Sequence, residues 1–166
     1  IELSNTSIPE NSPIGTVVGT LATVDPDAGD TFTYALVPGE GSDDNSSFEI
    51  VDNELRAAEA FDFETRSSYM IRVRTTDAGG LTHEESFTIG VTNVNESPTA
   101  IELPITSFPE NSPIGTVVGT LSTDDPDAGD TFTYTVVPGE GSEDNGSFEI
   151  VGNELRAAEV FDFEIR

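Results

Sequence analysis

Thr31–Val37 reads TFTYALV and Ser47–Val51 reads SFEIV, and in both stretches large apolar residues return at every second position: Phe32, Tyr34, Phe48 and Ile50. A period of two places them on one face of a β-strand. Working outward, the Asp52-Asn53 turn leads into Glu54–Ala57, anchored by Leu55, and Tyr69, Ile71 and Val73 share one face of a longer strand. After the turn Asp77-Ala78-Gly79-Gly80, Phe87, Ile89 and Val91 share one face of another. Gly and Pro punctuate the joins at Pro38-Gly39 and around Pro26. No segment sustains a helical period. The pattern predicts an all-β, antiparallel, seven-stranded Greek-key sandwich.

The same text occurs twice. IELSNTSIPENSPIGTVVGTL from Ile1 returns as IELPITSFPENSPIGTVVGTL from Ile101, and FDFETR at Phe61 returns as FDFEIR at Phe161. About four positions in five are identical, and a period of about 100 residues is a whole small domain. The expected division is repeat 1 over 1–97 and repeat 2 over 98–166, with Ser97-Pro98 a linker too short to let two domains tumble freely. Repeat 2 is expected to be incomplete, without counterparts of the last two strands, Ser67–Val94. Continuation of a longer parent chain or strand exchange with a neighbour would supply them, and continuation is the favoured expectation.

Charge dominates the composition: 32 acidic residues against 6 basic ones, net −26 at pH 7. Such a surplus repels itself unless neutralised, and it excludes nucleic acid and anionic membrane as partners, because both require clustered cations. It reads either as a solvated acidic surface or as divalent-cation sites. The carboxylates fall in short, spaced groups, which favours cations. No cysteine is present, so neither a disulfide nor a thiolate is available, and His83 is the sole histidine, expected on a solvated strand. No run of apolar residues is long enough to cross a bilayer.

Three acidic motifs recur in both repeats: Pro9-Glu10-Asn11 and Pro109-Glu110-Asn111, the DPDAGD segments from Asp25 and Asp125, and FDFE from Phe61 and Phe161. Asp77 before Gly79 and the linker Asn93-Val94-Asn95-Glu96 join them. Calcium takes six to eight oxygens from carboxylates and carbonyls, whereas magnesium keeps its waters and zinc wants His or Cys. In an extended segment Asp62 and Glu64 project from one face. The spacing is neither an EF-hand nor a nonapeptide calcium repeat. Taken alone, DPDAGD would be an Asx-rich turn.

The ordered set resembles the cadherin repeat, whose members carry Pro-Glu-Asn, Asp-x-Asp followed by Gly, Leu-Asp-Arg-Glu, Asp-x-Gly and a closing Asp-x-Asn-Asp-Asn-x-Pro. These stand here as PEN at Pro9, DPDAG at Asp25, FDFE at Phe61, DAG at Asp77 and NVNESP at Asn93, and Gly15–Leu21 (GTVVGTL) also fits the family. Phe61 and Phe63 replace Leu and Arg, Asn93 and Glu96 replace acidic positions of the linker, and one residue is missing before Pro98. In this the chain is similar to cadherin-like repeats of bacterial surface proteins and adhesins. The resemblance implies an extracellular or cell-surface protein with Ca²⁺ between repeats: Glu10, Asp62 and Glu64 from repeat 1, Asn93, Asn95 and Glu96 from the linker, and Asp125 and Asp127 from repeat 2. Asp25, Asp27 and Asp77 would serve a preceding junction, and Glu110, Asp162 and Glu164 a following one.

The function so implied is a calcium-rigidified structural or adhesive rod, not an enzyme, whose partners are neighbouring repeats or identical subunits. The carboxylate pairs repeat with the domain and sit at its ends, which suits metal better than catalysis. Two alternatives stand beside it. One is a calcium-dependent carbohydrate-binding module for a polysaccharide or cell-surface ligand, with Phe108 as its one candidate platform, in a chain with no Trp and three Tyr. The other is a fibre or biofilm-matrix subunit that polymerises by strand exchange. Sequons begin at Asn5, Asn45, Asn95 and Asn145.

Overall fold

Each alternating run of the first repeat holds a strand. The computed structural model describes residues 1–26 and 29–164, and the chain divides into two units, Ile1–Val94 and Asn95–Arg166. Unit 1 contains β1 (Glu2–Leu3), β2 (Ser7–Pro9), β3 (Val17–Ala22), β4 (Thr33–Leu36), β5 (Phe48–Val51), β6 (Glu54–Ala57), β7 (Ser68–Thr76) and β8 (Thr82–Thr92). They form two four-stranded sheets, ordered β1-β3-β6-β5 and β2-β8-β7-β4. This is a β-sandwich, with β1 and β2 as two halves of one opening strand that leaves one sheet and joins the other.

One pairing departs from the antiparallel expectation. β2 runs parallel to β8, with Ser7 opposite Gly90 and Pro9 opposite Thr92. The cause is the crossing itself: having paired antiparallel with β3 through Glu2–Leu3, the chain moves to the other sheet and meets β8 in the same direction. β2 is an edge strand, where Pro9 costs no ladder bond. At the crossing, a Cβ on Gly19 would stand 2.7 Å from the Asn5 carbonyl oxygen, so this position requires glycine. Asn5 fixes the bend by donating its side-chain amide to the carbonyls of Ser7 and Val18 at 2.7 and 2.8 Å.

The core of unit 1 joins both sheets. Val18, Leu21, Phe48, Leu55 and Ala57 face Ile8, Tyr69, Ile71, Val73, Ile89 and Val91, with Phe61 between them. The β7–β8 hairpin, in register from Ser68↔Gly90 to Thr76↔Thr82, supplies five of these side chains. Phe48, Phe61 and Tyr69 form an aromatic trio with centroids 4.8 to 6.1 Å apart. Burying a side chain of this size is worth roughly 1.5–3 kcal/mol, so the hairpin contributes a large share of the unit's cohesion.

Unit 2 contains β9 (Ala100–Glu102), β10 (Val117–Thr120), β11 (Ser122–Asp124), β12 (Phe148–Val151) and β13 (Glu154–Ala157). These make a three-stranded sheet, β10-β13-β12, and a two-stranded ladder of β9 with β11. Ser107–Pro109 and 133–136, which match β2 and β4 in sequence, are not strands. The division falls after Val94, ahead of the Ser97-Pro98 position expected from sequence.

Candidate metal centres

Among the described residues the carboxylates gather into four clusters, each holding three oxygens from three residues within 4.8 Å of one another. The first comprises Glu10, Asp62 and Glu64. Glu10 is 3% exposed, and the reason is local: β2 ends on Pro9, the Glu10 amide donates to the Thr92 carbonyl, and Asn11 turns left-handed at φ 56° to donate to the Phe61 carbonyl. The buried carboxylate then accepts the Phe63 amide at 2.8 Å and the Val94 amide at 2.7 Å. The Thr65 amide, then its hydroxyl, each 2.8 Å from Asp62, hold that carboxyl below the ordinary aspartate range. The Asn93 side-chain amide donates to Glu64 at 3.2 Å.

The second cluster is Asp125, Asp127 and Asp130. Asp127 is 7% exposed and accepts the Glu96 amide at 2.5 Å, while its own amide donates to Asp125 Oδ1 at 2.9 Å. Asp125 Oδ2 is buried and has no hydrogen-bond partner. The third cluster is Asp25, Asp30 and Asp77, where the Leu81 amide donates to Asp77 at 2.8 Å. Asp25 and Asp77 also line a cavity of about 310 Å³ with Val24, Phe32, Leu81 and His83. Asp27 lies outside the described residues. The fourth cluster is Glu110, Asp162 and Glu164, with Glu110 exposed and accepting the Phe163 amide at 3.0 Å.

These donor sets suit a hard divalent cation. Oxygens about 2.4 Å from a calcium ion lie within about 5 Å of each other, the spread seen in every cluster. A buried carboxylate oxygen without a donor is costly unless a cation meets it, and Asp125 Oδ2 is such an atom. The five described arginines pair elsewhere, with Glu54, Asp44, Glu84 (twice) and Glu154. His83 is exposed and belongs to none of the four clusters.

Sequence reading misses Asp30 and Asp130, although both close the DPDAGD segments; only the folded turn shows that the last Asp comes back to the first. Conversely, no cluster contains the Glu96 side chain, and the bond that ties this residue to Asp127 is made by its backbone amide. Asn95 donates its side-chain amide to the Glu96 carbonyl at 2.9 Å. All four sequon asparagines bond backbone in this way, Asn45 to Val37 and Asn145 to Val137 at 2.9 Å each. Phe108 packs edge-on against Phe161, centroids 5.0 Å apart.

Two packed sheets, an opening-strand crossover and acid clusters at turns define a β-sandwich domain with candidate divalent-cation sites. The cadherin domain family matches residues 4–92, and the chain belongs to that family. It is 30% identical over 166 residues to human cadherin-12, covering 89% of this chain and 20% of that protein. To mouse cadherin-24 it is 31% identical over 176 residues, covering 96% and 22%. The chain thus spans about a fifth of the length of these curated relatives. Among solved structures, the extracellular domain of protocadherin gamma B4 superposes with a TM-score of 0.62 at 25% identity, covering 98% of this chain and 28% of that one. Human protocadherin-24 EC1-2 gives 0.69 at 21%, covering 96% and 76%. Cadherin domains are extracellular, non-enzymatic modules that bind calcium. No helix of the described residues is long and apolar enough to cross a membrane.

Proposed function

We propose that this chain is a segment of a calcium-stiffened extracellular rod. Glu10, Asp62 and Glu64 would hold calcium on one side of Asn93–Glu96, and Asp125 and Asp127, with Asp130, on the other. The observation that carries the reading is how the linker is tied. The Val94 amide bonds to Glu10 within unit 1, and the Glu96 amide bonds to Asp127 within unit 2. A cation drawn to either carboxylate therefore also fixes the peptide on which that carboxylate sits. The ion supplies charge neutralisation. The protein supplies oxygens already oriented by backbone amides, so little ordering remains to oppose binding.

Asp25, Asp27 and Asp77, and Glu110, Asp162 and Glu164, serve further junctions in this reading, with neighbouring repeats or identical subunits as partners. The replacements at Phe61, Phe63, Asn93 and Glu96 support placing it with the bacterial surface-protein type. A carbohydrate-binding role gains little support, because Phe108 and Tyr69 are engaged in aromatic packing. Small-angle scattering of the chain in calcium and in chelator tests the rod. The reading expects a longer maximum dimension and a narrower distance distribution with calcium. Superimposable curves would sink it.

A further inference from the structure

Two of the three carboxylates of the first cluster stand on one short turn. Residues 62–66 read DFETR, and the Arg66 amide donates to the Asp62 carbonyl at 3.0 Å, which closes a single turn of the chain. Inside it Thr65 donates twice to the Asp62 carboxylate, its amide to Oδ1 and its hydroxyl to Oδ2, each at 2.8 Å. One neighbour thus fixes both oxygens of an exposed side chain.

The path of the turn is anchored separately. The Arg66 guanidinium pairs with the buried Asp44 and lies over the Tyr69 ring, 4.4 Å from its centroid. The Phe63 amide is held by Glu10 at 2.8 Å. The backbone therefore does not depend on the Thr65 side chain, whereas the direction of the Asp62 carboxylate does. At Glu10, by contrast, both oxygens are held by backbone amides, those of Phe63 and Val94. At Asp62 one of the two bonds needs a hydroxyl. FDFETR and FDFEIR differ only at this position, where Ile165 has no side-chain donor.

We infer that Thr65 is a positioning residue for the cation of the first cluster and sets how tightly that cluster holds calcium. The inference rests on the calcium reading above and deepens it. Two effects oppose each other. The hydroxyl draws some negative charge from the Asp62 carboxylate, which weakens its pull on a cation. Each carboxylate oxygen has two lone-pair directions, however, so a neutral donor on one leaves the other for the ion. An exposed aspartate that is already oriented also loses little rotamer freedom on binding. Removing the hydrogen-bond partner of a metal-holding group lowers metal affinity by about 10- to 100-fold. Orientation wins.

The test is a calcium titration of the whole chain followed by NMR. The Phe63 and Val94 amides, bonded to Glu10, report the first cluster, and the Glu96 amide, bonded to Asp127, reports the second. Thr65→Val keeps the shape and removes the hydroxyl. It is expected to raise the calcium midpoint at Phe63 and Val94 about tenfold and to leave the midpoint at Glu96 in place. Thr65→Ser, which keeps a hydroxyl, is expected to retain the parent midpoint. An unchanged or lower midpoint in Thr65→Val overturns the inference and leaves the calcium reading standing. So does an equal shift at Glu96, which would mean general loosening, or a Thr65→Ser variant that behaves like Thr65→Val. A parent chain in which all three amides ignore calcium sinks the calcium reading itself, and this inference with it.

Discussion

Units 1 and 2 spell nearly the same first 66 residues and yet bury them differently. Leu55 is fully buried, while its counterpart Leu155 is half-buried; Asp44 is 6% exposed, while Asp144 is exposed; Glu10 is 3% exposed, while Glu110 is exposed. In unit 1 these residues are covered by the β7–β8 hairpin and by the Asn93–Val94 segment that follows it. Local text therefore sets strands and turns, whereas burial, and with it the environment of the site carboxylates, depends on strands far away in sequence.

The comparison breaks first at the core. Leu55→Ala should cost about 3 kcal/mol, because Leu55 is fully buried and its loss leaves a closed cavity. Denaturant unfolding measures it, and a cost below about 1 kcal/mol would mean that the core of unit 1 is not closed there.

Calcium removal should come next. At a calcium concentration 100 times the dissociation constant, binding stabilises the folded state by about 2.7 kcal/mol per site. Chelator should accordingly lower the melting temperature, and Asp125→Asn should remove most of the shift assigned to its cluster. A chain that melts identically with and without calcium would refute a folded-state ion.

A third contrast concerns Asp44, which accepts two guanidinium bonds from Arg66 at 2.6 and 2.5 Å and the Met70 amide at 2.7 Å. Burial alone would raise its pKa, but the Arg66 and Met70 bonds outweigh it and hold the carboxyl below the ordinary aspartate value. A folded-state value below the unfolded one means that the contribution is present above the unfolded value of about 3.9. It fades as pH falls through the lower folded value. Asp44→Asn should cost about 2 kcal/mol at pH 7 and make stability less sensitive to acid in that window. Urea unfolding across pH measures this.

The smallest effect sits in the β5–β6 turn. Asp52 is left-handed at φ 58°, and Gly152 fills the same place at φ 65°. Gly152→Ala should cost about 1 kcal/mol, whereas Asp52→Gly should shift stability by less than about 0.5 kcal/mol, since glycine removes strain but adds unfolded-state freedom. Comparable losses in both variants would show that the turns are not equivalent.

Much of this was legible in the sequence, and the parts that were not share a cause. Alternation at Phe48 and Ile50, at Tyr69, Ile71 and Val73, and at Ile89 and Val91 located β5, β7 and β8, because a period of two reports one buried face directly. The parallel β2–β8 pair left no such mark, since strand direction is fixed by the crossing near Asn5 and not by side-chain order. Likewise DPDAGD advertised Asp25 and Asp125, yet the return of Asp30 and Asp130 depends on turn geometry. At Glu96 the bond to Asp127 is made by the backbone amide, which every residue has and which leaves no mark in a motif.

Hydrogen exchange at the Val94 and Glu96 amides, with calcium and with chelator, tests the central claim most directly. Both amides are bonded to cluster carboxylates, so the account predicts that calcium slows their exchange together, and that Glu10→Gln and Asp125→Asn each weaken the effect. Exchange at these two amides that is the same with and without calcium would contradict a calcium-stiffened linker.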